Sequence, residues 1–206
     1  SADKYGRCYL GLPPQGRADY AFIQHIAKSL NSENGRAAIL LPHGVLFRKE
    51  EKQIRENLIK SDIVDCVIGL GPNLFYNSPM EACILILKTK KPANRVGKIL
   101  FINALDLVER KNAESKLTDE HIKKVSDAYF SNDDVEGLSH LATMREIDGN
   151  GYLLSLSLYV SNKDIGSKSK VKHTKEYAFE WNSKSVELNT FLDDILELLE
   201  VKKWLR

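Results

Sequence analysis

Ten residues with no room for a helix, Gly71 to Met80, separate two apolar runs of this chain, Cys66-Val67-Ile68-Gly69-Leu70 and Glu81-Ala82-Cys83-Ile84-Leu85-Ile86-Leu87-Lys88. A parallel crossover needs about a dozen residues or more and usually a helix. The two strands are therefore expected to be antiparallel. Upstream, Ala37 to Leu41 is a continuous apolar strand ended by Pro42, and Lys98 to Asn103 reads as a fourth, outer strand. Uninterrupted apolar strands belong to sheets covered on both faces. The periodicity supplies covering helices. Ala18, Phe22, Ile26 and Leu30 recur at spacings of four, with Ile23 and Ala27 beside them. Ile54, Leu58 and Ile59 point inward from a charged helix over about Lys49 to Lys60, which sets Glu51 one turn from Arg55. Thr118 caps a third helix reaching Tyr129, with Ile122, Val125 and Tyr129 on one stripe. Thr143 to Ile147 adds a helical turn. Tyr152 to Val160 alternates, which lets Leu154, Leu156 and Leu158 share a strand face.

A 206-residue chain that is 43% hydrophobic and 28% charged has the material for one globular domain with a short appendage. Its formal charge of +2 gives no global basic field, so any nucleic-acid contact must be local. Three scattered cysteines, Cys8, Cys66 and Cys83, make neither a disulfide framework nor a zinc site and fit a reducing compartment. The longest apolar runs fall far short of the ~20 residues that span a bilayer. A soluble, cytoplasmic protein without a membrane partner is the expectation.

The chemistry-bearing patterns are few. Gly69-Leu70-Gly71 follows a strand as a nucleotide-cradling turn does, but Leu74 stands where a third glycine belongs and Pro72 interrupts. An ordinary strand-to-loop turn is the simpler reading. Pro13-Pro14 is preceded by Leu12 and followed by Gln15, so the Asn and aromatic of an amine-methylating Asn-Pro-Pro-aromatic loop are missing. The histidines, His25, His43, His121, His140 and His173, show no metal-ligand spacing and read as surface or core-edge imidazoles. No metal is expected. Phe75 and Tyr76, adjacent in the loop Asn73 to Pro79, either cover the end of the core or offer a stacking surface to a base. The cationic stretch Lys88 to Lys98 reads as a solvated turn, with a phosphate site as the alternative.

The order of these segments is familiar. Gly11-Leu12-Pro13-Pro14-Gln15-Gly16-Arg17-Ala18-Asp19-Tyr20-Ala21-Phe22, then Gly35 to Pro42 with His43-Gly44-Val45-Leu46-Phe47-Arg48, then Asn73-Leu74-Phe75-Tyr76-Asn77-Ser78-Pro79-Met80-Glu81, resembles the modification subunit of type I restriction-modification systems. The resemblance continues through Gly97 to Ala104, Leu117 to His121 and Leu153 to Val160. It implies an adenine-specific DNA methyltransferase with a Rossmann-like α/β fold that uses S-adenosylmethionine. This chain then corresponds to the back half of the sheet, mixed because the family's seventh strand is antiparallel, plus a C-terminal helical tail. The family's cofactor motif and catalytic loop precede the segments seen here. No catalytic or cofactor-binding residue is therefore expected in this chain, and alone it should be inactive and bind no S-adenosylmethionine. The family's target-adenine pocket is lined by the segment that holds Phe75 and Tyr76. The implied partners are double-stranded DNA, a DNA-specificity subunit, a second modification subunit and the restriction subunit. A scaffold that docks on the specificity subunit is the alternative role.

The expected organisation is a catalytic-domain portion over 1–160, a basic linker over 161–182 and an amphipathic helix over 183–206. The linker spaces Lys163, Lys168, Lys170, Lys172 and Lys175 with Ser, Gly and Asn. The tail sets Leu188, Leu192, Ile195 and Leu199 on one seam, which either folds back on the α/β body or binds a helix of the specificity subunit.

Overall fold

A computed structural model of the chain describes residues 3 and 5–160, apart from 77, 112, 113 and 132. The expected linker and tail, with Leu188, Leu192, Ile195 and Leu199, lie outside the described residues. Helix α1 spans Asp19–Ser29, strand β1 Arg36–Pro42, helix α2 Lys52–Lys60, β2 Val64–Leu70, β3 Ala82–Lys88 and β4 Lys98–Ala104. A small hairpin, β5 Glu109–Lys111 and β6 Glu114–Lys116, leads to α3, Asp119–Ser131; β7, Ser139–Thr143, and α4, Met144–Gly149, follow.

The five-stranded sheet has the order β1-β3-β2-β4-β7. Strand β3 runs antiparallel to both β1 and β2, with Leu40 opposite Ile84 and Ile68 opposite Ile84 on its two sides. The antiparallel β2–β3 pair is as the short loop requires. Strand β4 pairs parallel to β2 and antiparallel to β7, so it is interior and not the outer strand expected from its place in the sequence. Strand β1 forms one edge of the sheet, and the edge beside β4 belongs to β7. Its Ser-His-Leu-Ala-Thr composition carries no apolar run, because an edge strand buries less and tolerates polar residues.

Strand β2 divides the core, its alternation reset by a register shift between Val64 and Cys66. Val64 and Val67 join one cluster with Tyr20 and Ile23 of α1 and Ile54, Leu58 and Ile59 of α2. Cys66, Ile68 and Leu70 join the other with Leu100, Ile102 and Ala128 of α3. Every residue of β2 is buried, as a strand covered on both faces must be. The three apolar side chains of α2 each contribute roughly 1.5–3 kcal/mol through full burial.

Three helical and strand-like patterns resolve differently from their periodicity. The buried face of α1 is Tyr20, Ile23 and Gln24, and Phe22 faces out. Gln24 belongs inside because its amide is paired: Nε2 donates to the Gly11 carbonyl at 3.0 Å and Oε1 accepts the Leu10 N–H at 2.9 Å. In α3 the buried side is Ala128 with Val125 and Tyr129 beside it, and Ile122 is exposed. Thr118 does cap that helix, its Oγ1 accepting the His121 N–H at 3.3 Å. Tyr152 to Val160 forms no strand. Leu154 and Leu156 are buried, but a 3-10 turn over Leu156–Leu158 carries Leu158 outward. An alternating Leu-Ser-Leu-Ser-Leu sequence has strand period whether or not a neighbour exists to pair with it.

Most of the lysine-rich turn faces solvent as expected, but two of its cations do not. Lys91 and Arg95 have side chains only 2% exposed. Lys91 Nζ lies 2.6 Å from Asp62 and Arg95 Nη1 2.9 Å from Asp65, while Lys88 pairs with Asp65 and Lys90 with Glu33. Lys88, Lys91 and Arg95 are spent on carboxylates within the fold, which removes the phosphate-site reading for them, whereas the Lys90–Glu33 pair lies on the surface.

Candidate functional site

Because β1 and β2 are both antiparallel to β3, and β4 is parallel to β2, three strands end on the same side. In open α/β sheets ligands bind beyond such carboxyl ends. Three connections meet there: His43 to Glu51 after β1, Gly71 to Glu81 after β2, and Leu105 to Thr118 with the hairpin after β4.

The connection after β2 begins with a glycine pair whose role is packing. A Cβ on Gly69 would lie 2.3 Å from Leu156 Cδ1, and one on Gly71 would lie 2.5 Å from the Leu105 carbonyl and 2.8 Å from Val108 Cγ1. The space a nucleotide cradle would leave open is filled by the protein itself. The residues present therefore do not form a cofactor cradle at this turn. Asn73 then takes a left-handed conformation, φ 60°, which Asn tolerates better than most residues. Its carbonyl accepts the Ser115 N–H of β6 at 2.9 Å, tying the loop to the hairpin. The Ser78 N–H bonds to the Phe75 carbonyl at 3.0 Å, closing a tight turn with Tyr76 at its tip. Tyr76 is 88% exposed and Phe75 37%. Of the two roles open to these aromatics, covering the core accounts for at most part of Phe75 and none of Tyr76.

The connection after β1 rests on buried polar groups whose partners the sequence did not reveal. The Val45 carbonyl accepts Tyr20 Oη at 3.0 Å, and Arg55, fully buried, donates from Nη1 to the Arg48 carbonyl at 2.9 Å and from Nε to the Tyr152 carbonyl at 2.8 Å. Arg55 therefore does not pair with Glu51 as helical spacing suggested. Glu51 instead faces Arg48 at 3.5 Å, and Arg48 also reaches Asp19 at 2.7 Å. Burial pushes the Glu51 carboxyl above the usual carboxylate range despite the Arg48 charge. Burial likewise raises the Tyr20 hydroxyl and the Cys66 thiol and pushes the Cys83 thiol up to about 12, so neither buried cysteine is a nucleophile. His43, at the end of β1, places Nδ1 3.1 Å from Glu81 Oε2. Of the remaining described histidines, His140 contacts Asp134 and Glu146, and His121 bonds within the α3 cap. Among the described residues no group of three or more His, Cys, Asp or Glu side chains is placed to hold a metal ion, and no helix is long and apolar enough to cross a membrane.

The family is shown by comparison with known proteins. Residues 1–168 match the N-6 DNA Methylase family, and the chain belongs to that family. Its relatives are methylase subunits. It is 37% identical over 98% of its length to the type I restriction enzyme MjaVIII methylase subunit of Methanocaldococcus jannaschii, of which it covers 33%. It is 33% identical over 75% of its length to the HindI methylase subunit of Haemophilus influenzae, covering 36% of it. The crystal structure of a type I restriction-modification system methyltransferase subunit from Streptococcus thermophilus superposes with a TM-score of 0.71 at 38% identity, over 77% of this chain and 34% of that one. The chain thus spans about a third of the length of the relatives it matches.

Proposed function

We propose that this chain is the target-base side and back half of an adenine N6-methyltransferase, the modification subunit of a type I restriction-modification system acting on double-stranded DNA. The observation that carries this reading is the loop after β2, which holds Phe75 and Tyr76 at the carboxyl end of the sheet with Tyr76 almost wholly in solvent. A base taken out of the duplex loses its stacking, and an aromatic face returns roughly 1–3 kcal/mol of it. S-adenosylmethionine is the methyl donor in this reading and is held by the remainder of the subunit. The partners proposed are a DNA-specificity subunit, a second modification subunit and, in the full complex, the restriction subunit.

Replacing Phe75 or Tyr76 by Ala in the whole methylase is expected to lower methyl transfer to DNA about 5- to 150-fold through one of the two, the kinetic equivalent of one lost stacking contact. Cofactor affinity, read by calorimetry, should stay at the wild-type value. Wild-type methylation in both variants would overturn the assignment. The isolated chain is expected to transfer no labelled methyl group to adenine, because Leu12 and Gln15 flank its only adjacent prolines.

A further inference from the structure

The connection after β1 is anchored more firmly than a surface loop requires, yet it exposes an aromatic ring. The carbonyls of Val45, Leu46 and Arg48 accept hydrogen bonds from Tyr20, the Leu154 N–H and Arg55 respectively. A Cβ on Gly44 would lie 2.6 Å from Arg48 Nε, so only glycine lets that guanidinium pack where it does. In this rigid frame Phe47 remains 48% exposed, its ring edge-on to the His43 imidazole with centroids 6.4 Å apart. Rigid loops that expose apolar rings beyond the carboxyl ends of strands are what a binding site requires and a core does not.

His43 also faces the neighbouring loop. Its backbone N–H donates to the Glu81 carbonyl at 3.3 Å, and its Nδ1 lies 3.1 Å from Glu81 Oε2. Glu81 directly follows Met80, the last residue of the aromatic loop, which is 60% exposed. One imidazole therefore joins the connection after β1 to the end of the connection after β2. Its Nε2 is buried without a hydrogen-bond partner, a costly condition for a side chain kept at this junction.

We infer that His43 and Phe47 form a second wall of the target-nucleotide site. Phe47 offers its ring to the extruded purine nucleotide, and the His43–Glu81 hydrogen bond is a positioning contact that fixes the Met80 end of the aromatic loop beside it. This rests on the reading of the loop Gly71 to Met80 as base-facing.

The test uses the whole methylase with its specificity subunit and two duplexes, one with adenine at the target position for the methylation rate and one with 2-aminopurine there, which cannot be methylated at N6, for the fluorescence of the extruded base. Phe47→Ala and His43→Ala are expected to lower kcat/KM for DNA methylation about tenfold, the size of one aromatic contact, and to change the 2-aminopurine fluorescence of the complex. Cofactor affinity and melting temperature should stay at wild-type values. His43→Asn, which keeps an amide able to donate to Glu81, should restore most of the rate. Unchanged methylation in both Ala variants, while Phe75→Ala or Tyr76→Ala is defective, overturns the second wall alone. Unchanged methylation in all four overturns the base-facing reading beneath it. Equal losses of melting temperature in His43→Ala and His43→Asn without rescue would reduce His43 to a folding role and also overturn the inference.

Discussion

Asn in place of Asp65 is expected to cost the fold about 3–5 kcal/mol, read from urea unfolding at neutral pH. Asp65 sits on β2 with no exposed side-chain surface. Its Oδ2 accepts Tyr129 Oη at 2.8 Å, faces Arg95 Nη1 at 2.9 Å and lies 3.2 Å from Lys88 Nζ. Arg95 also donates to the Tyr129 carbonyl, and both cations lie over the Tyr129 ring, at 4.7 and 5.2 Å from its centroid. Removing the one carboxylate leaves two cations facing each other with their counter-ion gone, which costs far more than the pair gains over an apolar replacement. The same cluster gives the variant a pH signature. Burial by itself would raise the Asp65 carboxyl, but the Tyr129 hydroxyl, Arg95 and Lys88 outweigh it and hold the group below the usual carboxylate range. A carboxyl depressed in the folded state stabilises it above the unfolded value, roughly pH 4, and that contribution fades as pH falls through the folded value. The stability gap between the wild-type chain and Asp65→Asn should therefore shrink in acid. A gap that is the same at pH 7 and pH 3, or below about 1 kcal/mol at pH 7, would contradict this account.

Arg55→Met is expected to lose a comparable amount, about 3–5 kcal/mol, for a different reason. The Arg55 guanidinium is buried against carbonyls of three separate residues, Val45, Arg48 and Tyr152. Methionine fills much of the volume but donates nothing, so carbonyls of the connection after β1 and of the segment before Val160 lose their charged donor. Each such bond contributes roughly 1.5–3 kcal/mol, and relaxation recovers part. Amide exchange localises the loss. The Leu154 N–H, bonded to the Leu46 carbonyl at 2.9 Å, should lose protection first. Lys60→Met is the matching control, because the Lys60–Glu56 pair is exposed on the lysine side and its loss should change stability little. Equal effects of the two substitutions would mean that the Arg55 bonds contribute little.

Both predictions concern charged residues whose partners lie far along the chain, and these are the features a reading of local periodicity does not reach. Arg55 meets Tyr152 across 97 residues and Asp65 meets Tyr129 across 64. In the sequence Arg55 is one of several charges on an amphipathic helix, and Arg95 is one of a run of lysines and arginines. Gln24 is a polar interruption of an apolar stripe, although in the structure it is the centre of the buried face of α1. The polar β7 was invisible because pairing with β4, not apolar content, makes it a strand.

The candidate site divides in the same way. Phe75 and Tyr76 stand out in the sequence because two aromatics lie among turn-forming residues, and the ten-residue connection fixes that β2 and β3 are antiparallel. The exposure of Tyr76, the closing of the Gly69 and Gly71 turn by Leu156 and Leu105, and the His43–Glu81 contact do not stand out. The sequence by itself determined where the helices and the four apolar strands lie, that the central β2 is covered on both faces, and to which family the segments are similar. These follow from burial, which repeats with the period of each element and is written residue by residue. Only the tertiary structure decided that β3 lies between β1 and β2, that β4 is interior, and which charges are paired inside. Those depend on where the chain returns, and the energy of a contact between distant residues is settled by geometry that neither residue carries in its own neighbourhood.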